Sequence, residues 1–267
     1  MRYQSEAIQS SVWTIRLALF SVSIVLLAVL FHRILGMGTL VALNLFKLAL
    51  AGAVIVLALG AFALVRIWQH GWRGGANALV GMVIGCGVLI WPIAVLIFAS
   101  GHPTINDVTS DLKNPPRFIL LDGKRPPGAN SMTYPGEKFA AKQRKAYPNL
   151  GPLRVERPAS ETLELARQAL RRMHMVVEGV VPIDGQEPGR GQVEAVDRTL
   201  IMGFRDDVIV RVTRIRGGAL VDIRSSSRFG QSDLGRNALR IAEIQQGLIA
   251  RIQATVPART QQRAKEK

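Results

Sequence analysis

ALVGMVIGCGVLIWPIAVLIFA, residues 78–99, carries no charged side chain, and SGHPTINDVTSD, residues 100–111, follows it at once with a proline and two aspartates. About 18 or more uncharged apolar residues suffice to cross a bilayer core of roughly 30 Å as a helix. The chain therefore changes solvent at Ser100. Two earlier runs behave alike: 48–65 and 17–31, the second reaching full length when 12–15 are added and Arg16 is placed at an interface. Spans are expected at about 12–31, 40–65 and 78–99, with a soluble domain over 101–256. The first run has no small-x-small pattern after Phe31 and leads into more apolar sequence, so it reads as a retained anchor rather than a cleaved signal.

The formal charge of +15 divides unevenly. Six basic residues against Glu6 give +5 before Ser100, which leaves +10 for the soluble half. Such a balance suits nucleic acid, anionic lipid or an acidic polymer, and charge does not choose among them. Around the spans, Arg2, Arg16, Arg66 and Arg73 fall on the N-terminal side, against Arg33 and Lys47 on the other. At a wider window Lys113 and Arg117 join the other side and even the count, but residues 102–111 hold acids and no Lys or Arg, so the positive-inside rule favours the N-terminus in the cytoplasm and the domain outside. The only cysteine, Cys86, lies within the third run, so no internal disulfide can form. Gly81 and Gly85 form a small-xxx-small pair that suits close packing among the spans, with homo-oligomerisation through them as the alternative.

After Ser100 the chain opens with a proline-rich connector, 101–131, holding one short strand at 117–121. Helices are expected at 136–146 and 158–173, the latter with Leu163, Ala166, Leu170 and Met173 on one face. Strands follow at 175–181, 192–197, 199–204, 208–215 and 220–227. A final helix starts near Leu234, with Ser232 as its cap and Asp233 in its first turn. A basic tail over 257–267 reads as disordered. Helix, antiparallel strands, helix is the pattern of an α+β domain, one sheet with helices on one face.

The hairpin RVTRIRGGALVDIRSSS, 211–227, carries the clearest local signal. With Gly217-Gly218 as a two-residue turn, Val212 faces Ile223 and Val210 faces Ser225 on the core side. The other face pairs Thr213 with Asp222, Arg211 with Arg224, Ile209 with Ser226 and Asp207 with Arg228. That face reads either as a solvated surface of compensating charges or as a shallow anion- or partner-binding surface. Arg211, Asp222, Arg224, Ser226 and Arg228 form its candidate set, with Ser225 and Ser227 as further donors, because a guanidinium fork fits carboxylate or phosphate.

Catalytic signals are sparse. The four histidines lie far apart, and neither zinc spacing nor a phosphate loop nor a nucleophile elbow occurs. Asp206 and Asp207, adjacent in a strand, point to opposite faces and do not serve one site. No cofactor and no metal are expected.

The stretches FRDDV (204–208), VDIRS (221–225) and SRFGQSDLGRN (227–237), with NDVTSD (106–111) and PPRF (115–118) upstream, resemble the domain-of-unknown-function family 1499 (DUF1499) over most of 102–255. Asp207, Gly230, Ser232, Asp233, Gly235 and Asn237 carry the signature. The resemblance implies a membrane-linked envelope protein and brings no catalytic residue. The expectation is thus a multi-pass protein of the bacterial inner membrane whose periplasmic domain is a non-catalytic binding or scaffolding module. Its partners would be the lipid bilayer and an envelope protein or anionic polymer. A hydrolase acting on an envelope polymer or lipid through Asp207 or Asp222 is the alternative. Nucleic acid ranks last, because stacking aromatics are sparse in the soluble half.

Overall fold

A computed structural model describes residues 9–255, and the basic tail expected at 257–267 lies outside them. The chain divides into two compact units, a helical one up to Ser100 that also takes in Ile201–Gly203, and a second from Gly101 onward.

The helical unit holds α1 (Gln9–Arg33), α2 (Thr39–His70) and α3 (Gly75–Ala99), each long and apolar enough to cross a membrane. Their inward faces are built from small residues: Ser11, Thr14, Ala18 and Ser21 on α1, Ala49, Ala53 and Gly60 on α2, Ala78, Gly81 and Gly85 on α3. Lipid tails are as apolar as leucine, so spans associate by close packing, and small side chains permit it. The Gly81–Gly85 pair is used inside this unit. A Cβ at Gly81 would lie 2.9 Å from the backbone of Ile15, and one at Gly85 would lie 2.9 Å from Val56. Large apolar side chains such as Phe20, Leu26, Trp91 and Ile97 point outward.

The second unit is α+β. Six antiparallel strands are β1 (Asp107–Thr109), β2 (Leu153–Val155), β3 (Val176–Val181), β4 (Arg190–Arg198), β5 (Arg205–Ile215) and β6 (Gly218–Ser227). Their order is β1–β6–β5–β4–β3, with β2 joining the same edge of β6 as β1. The helices are α4 (Glu137–Ala146), α5 (Ala159–Arg172) and α6 (Arg236–Ala254). Alternation sorts the sheet residues: Val193, Ala195, Val208, Val210, Val212, Val221 and Ile223 meet Leu163, Ala166 and Leu170 of α5 and Ile241, Ile244 and Leu248 of α6 in one core.

Four details differ from the sequence reading. Residues 199–204 form the turn between β4 and β5 rather than a strand. Residues 117–121 are irregular, and the short strands that precede α5 are β1 and β2 instead. Helix α6 begins at Arg236, after a turn in which Asp233 accepts the Gly235 and Asn237 N–H groups. The β5–β6 register is displaced by two residues: Ile215 faces Gly218, Val212 faces Val221, and Arg211 faces Asp222. The turn is thus Arg216-Gly217, with Gly217 at a φ of 85°. Gly218 serves another need, since a Cβ there would sit 2.0 Å from the Val155 carbonyl oxygen of β2. Because each partner moved by two residues, every side chain kept its face.

Candidate functional site

The face of the sheet opposite α5 and α6 carries the candidate residues, and the connector lies over it. Arg224 is 1 % exposed, Arg228 6 % and Arg211 8 %. A buried charge survives only with partners, and each arginine has them within its own chain. Arg224 donates to both carboxylate oxygens of Asp107 at 2.9 and 2.7 Å, and to the carbonyls of Pro116 and Met132. Its guanidinium also lies between Phe118 and Tyr134, 5.0 and 5.5 Å from the ring centres. Arg211 donates to Asp222 at 2.8 Å, to Asp111 at 3.0 Å and to the Asn114 carbonyl at 2.9 Å. Asp207, fully buried, is held between Arg228 and Arg125, whose nearest nitrogens stand 2.7 Å from opposite carboxylate oxygens. Arg125 also donates to Ser226 Oγ at 3.0 Å.

Glu194 of β4 completes the closure. It is wholly buried and accepts the backbone N–H groups of Ile119, Leu120 and Leu121 at 2.6, 3.1 and 2.8 Å. A proline-interrupted segment cannot satisfy its donors by regular structure, and here one carboxylate satisfies three. Phe118, Leu121, Val196 and Ile209 add a small apolar cluster.

The helix-covered face has its own polar centre. Arg240, fully buried, bridges Asp206 at 2.6 Å and Asp197 at 2.8 Å, and donates to Ser225 Oγ and Asn237 Oδ1. Asn237 in turn donates to the Asn106 carbonyl and Ser227 Oγ. Asp206 and Asp207 therefore point to opposite faces, each clasped by arginine.

The other signature residues hold turns. The Gly230 carbonyl accepts Asn106 and Asn130 side-chain amides, and its φ is 91°. Ser232 Oγ accepts the Leu234 N–H, Asp233 caps the turn into α6, and Gly235 has a φ of 80°.

The solvated outer face of the sequence reading is thus corrected: β5 and β6 present it to the connector, not to water. Arg211, Asp222, Arg224, Ser226 and Arg228 do lie together on it, but Asp107, Asp111, Arg125 and Glu194 were not among the candidates. Asp107 and Asp111 stand in the NDVTSD stretch, and Glu194 is an acid set between Val193 and Ala195-Val196 of β4. Those were the available signals.

Burial raises the Asp222 carboxyl above its ordinary value despite Arg211, and its Oδ1 has no hydrogen-bond partner. Burial, reinforced by Asp107, pushes the Tyr134 hydroxyl up to about 12, and its oxygen is likewise buried without a partner. Tyr134 and Arg224 line a cleft of about 560 Å³ at the connector's edge, together with Lys113, Arg117 and Met132. Arg211 and Arg228 reach smaller clefts of about 140 and 170 Å³. Lys113 and Arg117 make no ion pair among the described residues. No group of three or more His, Cys, Asp or Glu side chains is placed to hold a metal among the described residues.

Three apolar helices followed by a sheet closed on both faces, each with buried arginine–carboxylate pairs, define a membrane-associated protein with an α+β domain. The chain belongs to the family described as protein of unknown function (DUF1499), which matches residues 107–248, from β1 into α6. The three apolar helices lie outside that match. Neither the curated proteins nor the solved structures gave a match to the chain.

Proposed function

We propose that the protein displays its α+β domain on the extracytoplasmic side of a bacterial inner membrane, as a non-catalytic binding or scaffolding module of the cell envelope. The observation that carries this reading is the pairing of the carboxylates. Asp206, Asp207 and Asp222, the groups an acid–base mechanism would draw on, are each buried against arginine. A general acid or base needs hydrogen-bond reach to a substrate proton, and Asp207 is closed off from both sides. The hydrolase alternative therefore gains no support from the geometry of Asp207 or Asp222.

The orientation is supported by the anchor. Arg16 stacks on Trp13 and Arg66 on Trp72, at the start of α1 and the end of α2. Basic and aromatic residues together mark a membrane interface, and the basic excess marks the cytoplasmic one. The binding role falls to the rim of the covered face, where Lys113 and Arg117 flank the cleft at Arg224 and suit an anionic group on an envelope protein or polymer.

Paired topology reporters fused after Val256 test the location: an alkaline phosphatase fusion should be active and a green fluorescent fusion dark. The opposite pattern refutes the placement. For the binding role, the full chain in detergent is titrated with short-chain polyphosphate as probe. Lys113→Ala with Arg117→Ala should weaken capture while the melting profile holds. Unchanged capture refutes the assignment to this cleft.

A further inference from the structure

The hairpin tip between β4 and β5 combines two features that the folded domain leaves unbalanced. Leu200 is 84 % exposed and Ile201 59 %, more than any other large apolar side chain described after Ser100. They stand on an ordered turn. The Thr199 N–H donates to the Phe204 carbonyl at 2.9 Å, the Phe204 N–H donates back to Thr199 Oγ1 at 2.9 Å, and Gly203 takes a φ of 72°. The two side chains are therefore presented by a closed hairpin end, not by a loose loop.

At the base of this turn, Arg198 and Arg205 face each other directly across the ladder. Like charges in that position repel at about 5 Å. Arg211, Arg224 and Arg228 on the same face each meet an acid, yet neither Arg198 nor Arg205 makes an ion pair among the described residues. Nearby acids are engaged: Asp197 with Arg240, Asp207 with Arg125 and Arg228, Glu178 with Lys124. Burial, then the charges of Arg198 and Arg228, lower the Arg205 pKa, and Glu178 and Asp207 oppose them only in part. Arg198, Arg205, Arg228 and Lys124 share the walls of one cleft.

An apolar tip above a bare cationic pair suits one kind of surface, an anionic bilayer, where leucine and isoleucine enter the acyl boundary and arginines meet phosphates. The same chain carries helices able to cross a bilayer. We propose that the β4–β5 tip is a membrane-contact element, inserting Leu200 and Ile201 into the interfacial layer while Arg198 and Arg205 bind lipid phosphates. The proposal rests on the helices lying in a membrane, and not on which side the domain faces.

The test uses the full chain with Cys86→Ala and Leu200→Cys, labelled with an environment-sensitive nitrobenzoxadiazole dye, in nanodiscs of phosphatidylcholine with or without phosphatidylglycerol. Ile201→Cys repeats the measurement one residue on. Arg216→Cys, at the far end of β5, gives the water-exposed baseline. The tip label should be quenched by doxyl-labelled lipids, shielded from iodide, and more so with phosphatidylglycerol present. Replacing Arg198 and Arg205 by Gln should lower the inserted fraction about fivefold per arginine in phosphatidylglycerol nanodiscs. Quenching by iodide alone at both tip positions overturns the proposal. Shielding from both quenchers overturns it too, because protein then covers the tip. Loss of insertion on adding inorganic phosphate, as large as on omitting phosphatidylglycerol, would assign the arginines to a free anion and refute the lipid contact.

Discussion

The two faces of the one sheet are covered by different physics. On one side, α5 and α6 lay regular apolar stripes on Val208, Val210, Val212, Val221 and Ile223. On the other, a connector punctuated by Pro115, Pro116, Pro126 and Pro127 has few apolar residues to offer and no helix to carry them. It is held by Asp107 and Asp111 reaching to arginines of the sheet, Arg125 reaching to Asp207, and Glu194 gathering three of its N–H groups. Apolar burial is non-directional and tolerates local change. Charge pairs in a dry layer are directional: the intact pair contributes little net stability, while a broken one is costly. The helix-covered face should therefore degrade gradually on mutation, and the connector-covered face abruptly.

The harshest way to break that contrast is Arg224→Ala, which strands Asp107 in the covered layer. It should cost about 4 kcal/mol and release the connector, read in the full chain as protease cleavage within 113–135 at concentrations that leave the parent intact. A loss below what a core leucine deletion costs would mean the two faces are alike. On the helix side, Ile241→Ala should cost about 3 kcal/mol, read by pulse proteolysis, with the connector still protected. Glu194→Gln comes next. The neutral side chain keeps one acceptor oxygen for three donors, so about 2 kcal/mol should be lost, with faster hydrogen exchange at Ile119, Leu120 and Leu121.

The smallest effect is a slope. Burial raises the Asp222 carboxyl, so the folded chain keeps its proton to higher pH than the unfolded chain does. Stability from this group is present below the ordinary carboxylate range and falls as pH rises through the raised value. The loss is about 1.4 kcal/mol for each tenfold by which folding weakens the acid. Asp222→Asn cannot ionise, so its melting temperature should fall less steeply across that window. A variant curve parallel to the parent's would show that Asp222 does not titrate there.

Much of this was legible beforehand. Uncharged runs report a membrane solvent whatever they pack against, and strand alternation reports faces whatever lies on them, so Val210, Ile223 and Arg211 were assigned to the correct sides. The rung was misjudged because two glycines look alike in a chain: Gly217 answers a torsion angle, Gly218 a contact with β2 that is distant in sequence. The expectation of a solvated polar face failed for a related reason. Charge on a strand looks the same whether water or an opposite charge will meet it, and Asp107 lies 117 residues from Arg224 along the chain.

The sequence by itself determined the change of solvent at Ser100, the α+β class and the family, because each is written in local composition, period or motif. Only the tertiary structure decided that Arg211, Arg224 and Arg228 face inward, that Glu194 organises the connector, and that Arg198 and Arg205 meet each other and form no ion pair among the described residues. Each depends on which distant segment comes to lie above the sheet, and the free energy of a charge is set by what surrounds it after folding.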